Sequence, residues 1–166
     1  MFENIENMPP SARVWVYQSD KMLTEAQIEQ ANRVLQNFVY TWVAHGAGLK
    51  AYAGVHHAWF IILAVDETYY PASGCSIDES IICLHSLQKQ LGINLFQRTN
   101  IAYRTNENGG QIAITSTSNL PDMYKKGVIT DDALIFNNII TTKSELDQNW
   151  ELPLSKTWAK QLCPAW

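Results

Sequence analysis

The spacing of apolar and polar positions predicts a chain of mixed helices and strands. Two segments repeat apolar residues at helical spacing, each behind a capping-box pattern at residues 24–27 and 76–79. The first helix is predicted to end near His45, beside glycines that can adopt the left-handed conformation, and the second near Gly92. Runs rich in β-branched and aromatic residues predict strands at 13–18, 49–56, 58–66 and 101–105.

These elements follow the order β-α-β-β-α-β, which is the split β-α-β arrangement of ferredoxin-like domains. We therefore predict an α+β fold with a ferredoxin-like core at residues 12–105 and a C-terminal extension at 106–166. The extension shows weaker patterns, which predict strands at 111–116 and 133–140 and helices at 121–126, 142–150 and 154–162. A length of 166 residues fits one domain, so core and extension are predicted to form a single domain.

The strand at 58–66 is apolar on both of its faces. Its alternating sets are Trp59, Ile61, Leu63 and Val65 on one side and Phe60, Ile62 and Ala64 on the other. A two-layer sandwich buries only one face of its sheet, so a second cover is needed. We predict that the C-terminal extension covers the second sheet face; the alternative is a homodimer that pairs face to face.

Composition limits the partners and the compartment. The chain combines six tryptophans with only 17% charged residues, which is atypical of disordered proteins. A net charge of −4 argues against a broadly basic surface for nucleic acid. The longest apolar run, at 58–65, is shorter than the roughly 20 residues that span a bilayer, and residues 1–10 lack a secretory signal pattern. The predicted protein is therefore cytoplasmic, without a membrane or nucleic-acid partner.

The segment between the third strand and the second helix carries the candidate chemistry. It places Cys75 just before a predicted helix N-terminus, where free N–H groups and the helix dipole favour negative charge and thiolate formation. Ser73, Gly74, Cys75 and Ser76 are therefore the predicted binding residues for a small anionic ligand. In the alternative interpretation, Ser76 and Glu79 only cap the helix and Cys75 is a buried packing residue.

The predicted topology indicates which side chains share this edge of the sheet. The end of the first helix and the end of the third strand meet there, which brings His45 towards Asp66 and Glu67. Arg104, at the end of the fourth strand, falls at the same edge and is added to the predicted anion site. Cys75 as nucleophile and His45 as base, oriented by one of the two carboxylates, would make a thiol-dependent enzyme for acyl transfer or hydrolysis. Alternatively, His45 interacts only with the helix dipole.

The sequence predicts neither a metal site nor a cofactor. The three cysteines lack C-x-x-C spacing, which argues against a structural zinc site and a disulfide framework. His56 and His57 are adjacent on a strand and so point to opposite faces. The pattern G-x-x-x-x-G-K-[ST] is missing, so no P-loop nucleotide site is predicted.

Four segments carry a resemblance to a known family, namely Trp42-x-Ala44-His45-Gly46, Val65-Asp66-Glu67, Ser73-Gly74-Cys75-Ser76-Ile77-Asp78 and Phe136-Asn137-Asn138. From about Trp15 to Trp158 the chain resembles a family of small uncharacterised bacterial proteins often labelled "ABC transporter ATPase". The resemblance implies no defined activity, and the chain lacks the Walker lysine that the label would require. Three functions therefore follow from the sequence: a domain that binds a small anion, a thiol-dependent enzyme, or a structural protein acting as a homodimer.

Overall fold

The computed structural model describes residues 1–105 and 110–165, which form an α+β chain with several antiparallel sheets. The chain divides into two compact units. Unit 1 comprises Met1–Phe96 and Ile139–Asp147, and unit 2 comprises Gln97–Asn138 and Gln148–Trp166. The first unit ends before the fourth predicted strand, and a later segment returns to it. A single domain with its core at 12–105 and its extension at 106–166 stays a prediction.

The elements follow one another along the chain with short connections. The first half contains a 3-10 helix Ile5–Asn7, β1 Arg13–Gln18, α1 Glu25–Tyr40, β2 Val43–Ala44, β3 Ala47–Gly48, β4 Ala51–His56, β5 Phe60–Val65 and α2 Gly74–Leu91. The second half contains β6 Asn100–Arg104, β7 Ile112–Ser116, α3 Leu120–Lys125, β8 Leu134–Phe136, α4 Lys143–Asn149 and β9 Glu151–Pro153. The helix predicted at 154–162 is instead two short 3-10 helices, Leu154–Lys156 and Trp158–Leu162.

Unit 1 is built on a three-stranded antiparallel sheet with the order β1-β5-β4. Because β5 runs antiparallel to both neighbours, β1 and β4 are parallel, and with α1 they form the predicted split β-α-β motif. One face of β5 packs into a core shared with α1 and α2, through Ile61, Leu63 and Val65. Phe60 and Ile62, on the other face, are also fully buried. Both faces are therefore buried, while the cover of the second face by residues 106–166 stays a prediction.

The fourth predicted strand does not join this sheet. It is β6, which pairs with β7 and β8 in the sheet of unit 2, whose order is β7-β6-β8-β9. The free edge of β1 is bonded instead by the returning segment: the Val14 N–H donates to the Thr141 carbonyl over 2.9 Å, and the Lys143 N–H donates to the Ala12 carbonyl over 2.8 Å. The ferredoxin-like topology is therefore not confirmed.

Helix α1 begins as predicted and ends earlier than predicted. The Thr24 hydroxyl accepts the Gln27 N–H, and the Gln27 side chain accepts the Thr24 N–H, which is a complete capping box. The helix ends at Tyr40, and a β2–β3 hairpin follows, with His45 at φ 49° in its turn. Trp42 lies outside the helix but is still buried, with its ring centroid 5.0 Å from that of Phe38. Its core position explains why the apolar spacing continues past the true helix end.

Across the part of the chain that the structure describes, no helix has the length and apolar character needed to cross a bilayer. The longest, α2, has 18 residues and carries charged and polar side chains on its exposed side.

Candidate functional site

The first turn of α2 starts earlier than the sequence predicts. Ser73 is the N-cap: its hydroxyl accepts the Ser76 N–H at 3.1 Å, while the Ser76 hydroxyl accepts the Ser73 N–H at 2.8 Å. The capping box therefore joins Ser73 to Ser76, and the prediction that it joins Ser76 to Glu79 is wrong. Ser76, at the third helical position, accepts the N-cap amide, a role that the capping-box pattern assigns to glutamate or glutamine. Cys75 consequently lies inside the first turn.

The first turn leaves two of its backbone amides without an acceptor in the part of the chain that the structure describes. The Ser76 amide is bound by Ser73, and the Ile77 amide donates to the Ser73 carbonyl at 3.0 Å. Within residues 1–105 and 110–165, the amides of Gly74 and Cys75 have no acceptor. The first turn also contains no acidic side chain, so nothing in it offsets the positive end of the helix dipole.

Cys75 is the exposed thiol of the chain. Its side chain is open to solvent, whereas Cys83 is half-buried and Cys163 is buried. Burial raises the pKa of both the Cys83 and the Cys163 thiols, which disfavours their reactive thiolate forms. The alternative that Cys75 is a buried packing residue is therefore wrong.

The two candidate carboxylates hold their own loop together. Asp66 is buried, and its Oδ1 accepts the Thr68 N–H at 3.1 Å and the Thr68 hydroxyl at 2.5 Å. The Lys50 ammonium lies 3.9 Å from the Asp66 Oδ2. Glu67 accepts the Ala72 N–H at 3.0 Å, one residue before the N-cap of α2. These bonds give both side chains a structural role, and their orientation of a catalytic base stays a prediction.

The hairpin that carries His45 lies against the helix that carries Cys75. The buried Trp42 indole N–H donates to the Ser76 carbonyl at 2.8 Å, and β2 packs on α2. His45 itself is exposed in the hairpin turn. Its interpretation as a C-terminal residue of α1 is therefore wrong, because α1 ends at Tyr40. The His45 hairpin and α2 are therefore in contact, while an approach of His45 to Cys75 and catalysis by the pair stay predictions.

Arg104 belongs to unit 2 and has partners there. Its guanidinium binds Glu151 through Nε at 2.6 Å and Nη2 at 3.3 Å, and its Nη1 donates to the Gly110 carbonyl at 3.1 Å. The sequence groups Arg104 with the anion site only on the expectation that the end of the fourth strand falls at the same edge of this sheet. Since β6 lies in the other sheet, this reason does not hold.

A second polar arrangement in unit 1 is absent from the sequence predictions. The Tyr52 hydroxyl lies 2.8 Å from the His56 Nε2, with the two rings edge to face. Burial, with a smaller effect from His57, lowers the pKa of His56 to about 4, so the imidazole is neutral at neutral pH. The sequence does carry a signal for it, because Tyr52, Gly54 and His56 alternate on a strand and therefore share one face.

Among the described residues, no three His, Cys, Asp or Glu side chains are grouped as metal ligands. No family model matches the chain, and neither does any curated protein or solved structure. The geometry of α2 and its surroundings is therefore the basis for assigning a function.

Proposed function

We propose that unit 1 binds a small anion, a carboxylate or a phosphate, at the first turn of α2. The observation that carries this proposal is the pair of free amides at Gly74 and Cys75, at the exposed start of an 18-residue helix. Such amides, together with the helix dipole, form an anion-binding arrangement. We also propose that the protein acts in the cytoplasm and that it belongs to the bacterial family that its four segments resemble.

The surroundings of this turn favour a small ligand. A Cβ built on Gly74 would meet no heavy atom within 4 Å, so a ligand atom can approach the backbone closely there. The Glu67 carboxylate already accepts the neighbouring Ala72 amide, which supports the affinity of this end of the helix for carboxylates. The negative charge of Glu67 opposes the binding of any further anion beside it, so we expect a modest affinity.

This proposal predicts anion-dependent changes at two backbone amides. In a titration of the full chain with inorganic phosphate or acetate, we expect saturable ¹H–¹⁵N shifts at Gly74 and Cys75. In Gly74→Asp, an internal carboxylate would compete for these amides, and the affinity should fall at least about tenfold. Ser86→Asp adds the same charge at an exposed position further along α2 and should bind almost as the wild type does.

Shifts distributed over the whole surface would contradict the proposal, as would equal losses in Gly74→Asp and Ser86→Asp. Either result would mean that anion binding depends on the overall charge of the protein and not on the first turn of α2.

The second candidate function is thiol chemistry at Cys75, which its exposure and helix position favour over Cys83 and Cys163. We expect iodoacetamide to modify Cys75 first at neutral pH, as read by mass spectrometry of peptides. His45→Ala should slow this modification if the imidazole acts as a base, while Tyr40→Ala, which truncates an exposed aromatic side chain at the end of α1, should leave it unchanged. A Cys75 that reacts no faster than Cys83 would remove this candidate.

A further inference from the structure

Both edges of the sheet in unit 1 are bonded by other parts of the chain. The returning segment bonds the edge of β1, and the N-terminal residues bond the edge of β4, where the Ala51 N–H donates to the Met1 carbonyl at 3.0 Å. Further along β4, the Val55 N–H donates to the Asn32 Oδ1 at 3.0 Å. These bonds matter because the unpaired backbone groups of an edge strand otherwise offer a template for another chain.

In unit 2, the edge strand β9 is protected by its own residues. The Leu154 N–H donates to the Ala133 carbonyl at 2.8 Å, which makes these two residues a hydrogen-bonded pair. By alternation, Glu151 and Pro153 turn their backbone groups away from β8. Proline has no N–H to offer there, and Glu151 adds a charge; both are usual ways to protect an edge strand.

The opposite edge of this sheet, β7, lacks such protection. The Thr105 N–H donates to the Gln111 carbonyl at 2.8 Å, and the ladder between β6 and β7 alternates from there. Ile112 and Ile114 therefore turn their N–H and C=O groups away from β6, and among the described residues these groups have no hydrogen-bond partner. Residues 110–119 contain neither a charged residue nor a proline, so nothing in their sequence opposes pairing.

We propose that β7 pairs antiparallel with β7 of a second copy of the chain, which joins two copies of unit 2 edge to edge. A two-fold axis beside Ala113 places Ile112 of each copy opposite Ile114 of the other. The four outward N–H groups, two from each copy, then each meet a free carbonyl. A register centred on Ile114 would also need the Ser116 carbonyl, which already accepts the Asn119 N–H at 3.1 Å.

The sequence of β7 favours a second copy as the partner of this edge. Ile112 and Ile114 are half-buried, and their pairing across the axis brings together β-branched side chains, which stabilise neighbouring strands. Two copies that each carry a net charge of −4 repel one another, and this repulsion is weakest where the uncharged residues 110–119 meet. Because one strand buries little area, we expect a dimer that dissociates on dilution.

Hydrogen exchange of the full chain at increasing protein concentration tests this pairing. The Ile112 and Ile114 amides should gain protection in step with the dimer fraction from sedimentation equilibrium, whereas the Ala113 amide, which faces β6, should be protected throughout. Ile114→Pro removes an outward N–H, a change that an edge strand tolerates. It should leave the fold intact and weaken dimerisation at least about tenfold, because each dimer loses two hydrogen bonds.

Two double variants test the register of the two strands. Ile112→Lys/Ile114→Glu places opposite charges across the axis and should still dimerise, whereas Ile112→Lys/Ile114→Lys places like charges there and should be monomeric at the same concentration. Both variants replace the same two side chains, so the loss of apolar area alone would affect them equally.

A chain that stays monomeric at every concentration would overturn the proposal, as would a dimer that persists unchanged in Ile114→Pro. Equal weakening of dimerisation in the two double variants would overturn it too, and this comparison keeps the test valid should Ile114→Pro fail to fold.

Discussion

Trp42→Ala should lower the free energy of unfolding by about 3–5 kcal/mol, the range for truncating a large buried aromatic side chain. Trp42 is 2% exposed and packs against Trp15 and Phe38 in the core of unit 1. Its indole N–H also ties the hairpin segment to the Ser76 carbonyl. The substitution would therefore open a cavity and release the first turn of α2 together. Urea unfolding followed by far-UV circular dichroism measures the change.

Two further variants separate the cavity from the hydrogen bond. Trp42→Phe keeps an aromatic ring but loses the N–H, and we expect a smaller loss of about 1–2 kcal/mol. Tyr40→Ala removes an exposed aromatic ring nearby and should change stability by no more than about 0.5 kcal/mol. A Trp42→Ala loss no larger than that of Tyr40→Ala would show that the core of unit 1 does not depend on this residue.

Trp42 also shows how far local patterns predict this fold. The alternation in β1, β4 and β5 and the capping box of α1 are local, and the sequence predicts them correctly. The end of α1 is not local in this sense, because a buried residue just past a helix can continue the apolar spacing. The helix ends at Tyr40, and the buried Trp42 lies between it and the β2–β3 hairpin that follows.

The larger error in the sequence prediction is the sheet to which β6 belongs. Its cause differs from that of the misplaced end of α1. The strand itself is recognisable from its sequence, but its neighbours in the sheet are set by contacts distant along the chain. The place beside β1 is taken by residues near Thr142, which pairs with Arg13 in an isolated bridge. The candidate site is affected only in part: Cys75 and the His45 hairpin lie in one unit, while Arg104 depends on the wrong strand pairing.

Acid should destabilise unit 1 through His56, by up to about 3 kcal/mol between pH 7 and pH 4. The pKa of His56 is about 4 in the folded state, below the ordinary value of 6.5. As the pH falls, the unfolded chain therefore binds this proton first. The stability that depends on neutral His56 is complete above pH 6.5 and is lost progressively as the pH falls towards 4.

The variant His56→Gln isolates this contribution from the carboxylates that titrate over the same range. The difference in unfolding free energy between wild type and variant should change between pH 7 and pH 4 by the amount expected for the titration of one histidine. A pH-independent difference would contradict a buried neutral imidazole.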